Sequence, residues 1–102
     1  MQELSREEIE QLFNKNKSGF LYLYTPLCGT CQLASKMLSV IEELMPEQPI
    51  GKADLNYLSA FSEVLGIESV PCLIIVKDGN IQEKIYAFHS VPYLLDKMKS
   101  FL

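Results

Sequence analysis

What this sequence lacks narrows it before any motif is read. No apolar run is longer than Cys72–Val76, far short of the roughly 20 residues a helix needs to cross a bilayer. Met1-Gln2-Glu3-Leu4 leads straight into the polar stretch Ser5-Arg6-Glu7-Glu8, so no export signal is read there and a cytoplasmic location is expected. Basic residues are in deficit, nine Lys and Arg against 13 Asp and Glu, and the two signs are interspersed. A nucleic-acid or anionic-membrane surface requires a clustered basic face, so neither is an expected partner. No Gly-rich nucleotide fingerprint is present, and no nicotinamide or flavin cofactor is expected. Histidine occurs once, at His89, and cysteine three times. An odd, small number of cysteines argues against a structural disulfide framework. In a reducing compartment, two cysteines three residues apart point to catalysis or metal binding instead.

The 102 residues suffice for one domain, residues 1–102, with one core. Apolar residues make up 48% and charged residues 22%, the ordinary balance of a soluble globular chain. Ser5 with Glu8 reads as a capping box, and Ile9, Leu12 and Phe13 at helical spacing predict a helix over 5–16. Phe20-Leu21-Tyr22-Leu23-Tyr24 has the character of a buried strand, ended by Thr25-Pro26. Apolar residues at 33, 34, 37, 38, 41, 44 and 45 form one face of a long helix from Gly29, closed by Pro46. A strand is predicted over 50–55. Asn56 is expected to cap a short helix that exits at Gly66. Leu73–Val76 and Ile81–Phe88 predict two strands joined at Asp78-Gly79, and Ser90 with Pro92 opens a last helix. Residues 2–4 add a short edge strand. The order implies an α/β fold, a central mixed sheet of four to five strands flanked by helices on both faces.

The pair Cys28 and Cys31, in Cys28-Gly29-Thr30-Cys31, falls where a strand ends and a helix begins. A first helical turn presents unpaired backbone N–H groups and the positive end of the helix dipole. A thiolate at Cys28 is stabilised there, lowering its pKa below the free-cysteine value of about 8.5. Cys31 follows one turn later on the same side, near enough to close a disulfide. Cys28, at the exposed end, is the expected nucleophile toward a substrate disulfide. Cys31 is the resolving thiol behind it. Gly29 admits a partner backbone, and the Thr30 hydroxyl can tune the thiols. A zinc or iron–sulfur site is the competing reading. It would have to recruit Cys28, Cys31, Cys72 and His89, every Cys and His in the chain, and no metal is expected. Cys72 reads as a buried small hydrophobe and His89 as a surface residue at a helix entry. Tyr22, Tyr24, Met37 and Met45 read as core packing.

These features resemble the thioredoxin family over essentially the whole chain. The resemblance rests on Cys28-Gly29-Thr30-Cys31 after a buried strand, Gly51-Lys52-Ala53-Asp54 in the next strand, Gly66-Ile67-Glu68-Ser69-Val70-Pro71 before an apolar strand, and Lys77-Asp78-Gly79-Asn80 at the hairpin. It implies a thioredoxin fold and a protein-disulfide oxidoreductase that works without a cofactor other than its own disulfide. It implies a cis Pro71 packed against the cysteine pair, a Val70 backbone that pairs with an extended substrate segment, and a Lys52 that supports the thiolate. The implied partners are disulfide-containing proteins and a protein reductase such as thioredoxin reductase, met by a monomer. The chain departs from the family at five places. Tyr22 stands at the position of a buried carboxylate, Leu27 at that of a tryptophan, Thr30 and Lys36 at those of prolines, and Ala87 at that of a glycine. These departures imply slower turnover and a more oxidising disulfide than an ordinary thioredoxin. They also leave open a second reading, a partner-binding scaffold with little redox turnover.

Overall fold

A computed structural model describes residues 1–102. In chain order the elements are β1 (Gln2–Glu3), α1 (Arg6–Asn14), β2 (Gly19–Tyr24), α2 (Gly29–Leu44), β3 (Ile50–Asp54), a 3-10 turn (Leu55–Tyr57), α3 (Ser59–Leu65), β4 (Cys72–Lys77), β5 (Asn80–Ile85) and α4 (Val91–Lys99). Local chemistry sets most boundaries. At the start of α1 the Glu8 N–H donates to Ser5 Oγ (3.2 Å) and the Ser5 N–H donates to Glu8 Oε1 (3.0 Å), a complete capping box. The helix stops at Asn14, with Lys15 as its C-cap and Asn16 at φ 52°, two residues short of the predicted end. Ser90 caps α4 through the Tyr93 N–H (3.2 Å). Asp78 and Gly79, at φ 52° and 78°, form the tight turn between β4 and β5.

Two expectations need correction. Asn56 caps nothing. The carboxylate of Asp54, one residue past the last inward side chain of β3, accepts the Asn56 N–H (2.9 Å) and starts the 3-10 turn, and α3 follows with no side-chain cap. A short acidic side chain reaches the N–H two residues on, so the cap sits two residues earlier than Asn56. The second hairpin strand ends at Ile85 rather than Phe88, with Leu73 opposite Ile85 as the last pair. Continuing the ladder would bring the chain opposite Pro71, which has no N–H to donate.

The five strands form one mixed sheet in the order β1-β3-β2-β4-β5. β3 is parallel to both β1 and β2, while β4 is antiparallel to β2 and to β5. Strand alternation sends Phe20, Tyr22, Ile50, Leu73, Ile75 and Ile85 to one face, under Ala34, Leu38 and Ile41 of α2 and Leu94 and Met98 of α4. Leu21, Leu23, Ala53, Cys72, Ile74 and Val76 take the other face, under Ile9 of α1 and against Phe61 and Leu65 of α3. Helices thus cover both faces, and each buried Leu or Ile contributes about 1.5–3 kcal/mol to holding the layers together. β2 and β4 lie between two covered faces, which is why both are almost wholly apolar.

Candidate redox site

Strand β2 ends at Tyr24 and α2 begins at Gly29, after four intervening residues, so Cys28 falls at the helix N-cap. The cap is usually an oxygen from Ser, Thr, Asp or Asn. Here it is sulfur: the Cys31 N–H donates to Cys28 Sγ at 3.1 Å. Thr30 Oγ1 lies 3.3 Å from the same sulfur. Cys28 and Cys31 are joined as a disulfide, with Cα atoms 5.1 Å apart, an ordinary separation for a bridge within one helical turn. A disulfide sulfur carries no proton, so the Thr30 hydroxyl is the donor of that pair. When the bond opens, a Cys28 thiolate would meet both donors and the helix dipole together.

Exposure divides the two cysteines. Cys31 is buried at 3% while Cys28 is partly open, flanked by exposed Gly29 and Thr30 and by Leu27, whose side chain is 99% exposed. A Cβ built on Gly29 would meet nothing within 4 Å, so internal packing does not require glycine there. Across from the pair, the Val70–Pro71 peptide is cis, and the Val70 carbonyl oxygen is 3.9 Å from Cys28 Sγ. Lys52, opposite Tyr22 in the β2–β3 register, places its ammonium 5.6 Å from the centre of the Tyr24 ring, with no hydrogen bond to the cysteine pair.

Beside the dithiol lies a groove of about 280 Å³ lined by Thr30, Leu33, Ala34, Met37, Pro71, Tyr86, Phe88 and His89. Sequence reasoning placed Met37 in the core and gave His89 no site role. Leu33 and Met37 sit at the i, i+4 spacing of one helix face, a signal shared with any core helix. His89 is at φ 57° with its ring edge-on to Tyr93 (4.7 Å between centroids). A second concavity, bounded by Glu3, Arg6, Tyr24, Asp54 and Tyr57, contains no cysteine.

Cys72 points to the other face of the sheet, fully buried, and burial pushes its thiol up to about 11 against smaller opposing effects of the Tyr86 hydroxyl and the charge of Lys84. No cluster of three or more Cys, His, Asp or Glu is placed to hold a metal ion. No helix is long and apolar enough to cross a membrane.

A family model described as thioredoxin matches residues 1–100. The chain is 46% identical over 99 residues to the thioredoxin-like protein YusE of Bacillus subtilis (strain 168), covering 97% of this chain and 92% of that one. It is 24% identical over 84 residues to a thioredoxin of Mycoplasmoides gallisepticum, covering 82% of this chain and 84% of the relative. Among solved structures it is similar to chloroplastic thioredoxin z, with a TM-score of 0.83, 17% identity, and coverage of 98% of this chain and 92% of that one. Mitochondrial thioredoxin 3 from Saccharomyces cerevisiae gives a TM-score of 0.82 at 20% identity, covering 98% of this chain and 94% of that one. At those identities the structural likeness establishes the fold, while the family match and the closely similar relative speak for the chemistry. The chain belongs to the thioredoxin family, and its Cys28–Cys31 centre makes it a thiol–disulfide oxidoreductase.

Proposed function

We propose that the protein reduces disulfides in cytoplasmic proteins, working as a monomeric domain of residues 1–102 through a Cys28/Cys31 cycle. The observation that carries this reading is the sulfur N-cap, which gives Cys28 two donors at the positive end of α2. In the first step the Cys28 thiolate attacks one sulfur of the substrate disulfide. That bond breaks, and the other substrate sulfur leaves as a thiolate that takes a proton from solvent. In the second step Cys31 loses its proton to solvent and attacks Cys28 Sγ, forming the Cys28–Cys31 bond and releasing the second substrate thiol. A protein reductase such as thioredoxin reductase then returns two electrons to the disulfide.

Each surrounding residue has a part in this scheme. Gly29 leaves space for the partner backbone, and Thr30 holds the thiolate. Leu27 and the groove beside Pro71 contact the substrate, the Val70 backbone pairs with its extended segment, and Lys52 adds positive potential. No metal takes part. Trapping tests the scheme directly. Cys31→Ser should accumulate mixed disulfides with cytoplasmic proteins, and Cys28→Ser should abolish them. If Cys31→Ser traps nothing, the redox cycle is wrong and the partner-binding scaffold takes its place.

A further inference from the structure

Tyr22 is fully buried, yet its hydroxyl sits in a small polar network at the foot of α2. The phenol donates to the backbone carbonyl of Cys31 at 2.8 Å, and Ser35 Oγ donates to the phenol at 3.1 Å. In an α-helix the residue 31 carbonyl has a regular partner in the N–H of residue 35. The phenol therefore gives that carbonyl a second donor, and Ser35 supports it from one turn along the same helix. Any buried tyrosine hydroxyl needs a partner. This one has found the backbone of the residue that carries the buried thiol. Burial pushes the Tyr22 phenol up from its ordinary value, against a smaller opposing effect of Ser35, so it stays a neutral donor at neutral pH.

We propose that Tyr22 is a positioning residue for the resolving step: its hydroxyl, held by Ser35, fixes the Cys31 peptide and thereby aims the Cys31 thiol at Cys28 Sγ. The inference rests on the two-cysteine cycle proposed above. Attack by Cys28 on a substrate depends on the exposed cap, the dipole and two donors, the Thr30 hydroxyl and the Cys31 N–H, whereas the phenol holds the Cys31 carbonyl, which belongs to the following peptide group. Resolution depends on Cys31 lying in line behind the Cys28–substrate bond, and the peptide of Cys31 is what Tyr22 holds. Removing the hydroxyl should therefore separate the two steps.

Ellman's reagent reports both on reduced full-length protein. The first thionitrobenzoate is released when Cys28 attacks, at a rate proportional to reagent. The second is released when Cys31 displaces it, at a rate independent of reagent. Tyr22→Phe keeps the ring and removes the hydroxyl. It should slow the second release by about five- to tenfold, the effect of one lost hydrogen bond, and leave the first within about twofold. Ser35→Ala removes only the supporting donor and should slow the second release by about two- to threefold. Ser35 is half-buried on the helix, so this variant carries the test if Tyr22→Phe fails to fold. A purely structural hydroxyl predicts equal change, or none, in both phases, and either result overturns the proposal. A wild-type protein that never releases the second thionitrobenzoate refutes the two-cysteine cycle itself. Normal resolution in wild type and both variants refutes only the role of Tyr22.

Discussion

Cys28 Sγ lies 3.9 Å from the carbonyl oxygen of Val70, although 42 positions separate them in the chain. The contact joins the N-terminus of α2 to the turn entering β4. On one side of the sulfur stand the donors of a helix cap, Thr30 and the Cys31 N–H. On the other stands backbone that is not yet part of the sheet, since β4 begins at Cys72. An incoming segment can thus meet the reactive sulfur and unpaired backbone together.

Thr30 is the cheapest residue to test. Thr30→Val keeps the shape and removes the hydroxyl 3.3 Å from Cys28 Sγ. Alkylation of reduced Cys28 at neutral pH should slow by about two- to threefold, read as iodoacetamide incorporation over time.

Stabilising the reduced form also makes the disulfide easier to reduce. Equilibration of the wild-type protein with glutathione should give a potential less negative than about −270 mV, the thioredoxin level. Thr30→Val should move it toward that level.

Burial of Cys72 makes two predictions. The reduced native protein should label rapidly at Cys28, slowly at the buried Cys31, and at Cys72 only after denaturation. Its folded pKa is raised from 9.0 to about 11, so an unfolded chain ionises first as pH climbs. The stability linked to this thiol is therefore fully present below pH 9 and is lost as pH rises toward 11. Tyr24, pushed up to about 12 by burial and by its hydrogen bond to Glu3, acts in the same direction at higher pH. Urea midpoints of wild type and Cys72→Ala between neutral and alkaline pH isolate the cysteine, because Tyr24 is common to both.

Gly79 is held by geometry. It sits at φ 78°, and a Cβ there would lie 2.6 Å from the Phe13 carbonyl oxygen. Gly79→Ala should lower stability by about 2 kcal/mol or more in urea unfolding, with the rate of Cys28 alkylation unchanged.

Leu27 separates function from stability. At 99% exposed it buries almost nothing in the fold. Leu27→Ala should leave the unfolding midpoint within about 0.5 kcal/mol of wild type. Insulin reduction should fall while reaction with a small disulfide does not. Equal loss on both substrates would remove Leu27 from the substrate surface.

Features whose partners lie within one helical turn were legible in advance. The capping box of Ser5 and Glu8, the Ser90 cap, the Asp78-Gly79 turn and the Cys28/Cys31 spacing are all contacts over one to three residues, and residue type nearly dictates them. Asn56 shows where such reading slips: Asp54 and Asn56 are both good caps, and only the end of β3 decides which side chain faces the free N–H.

The groove shows where local reading stops. Its walls come from α2, from Pro71 and from the segment after β5, and Leu33 and Met37 carry the same helical pattern as the buried Leu38 and Ile41. Nothing in that pattern says which of them the sheet covers. The pairing of Cys28 with Cys31 depends on local geometry alone, a sulfur at the N-cap facing another one helical turn on. The tertiary structure decided what surrounds it: β4 lies beside β2, Val70 faces Cys28, and Tyr22 reaches nine residues along the chain to the Cys31 carbonyl. Local residue types set turns, caps and spacing, while contacts across the chain depend on which faces the sheet and helices bury together.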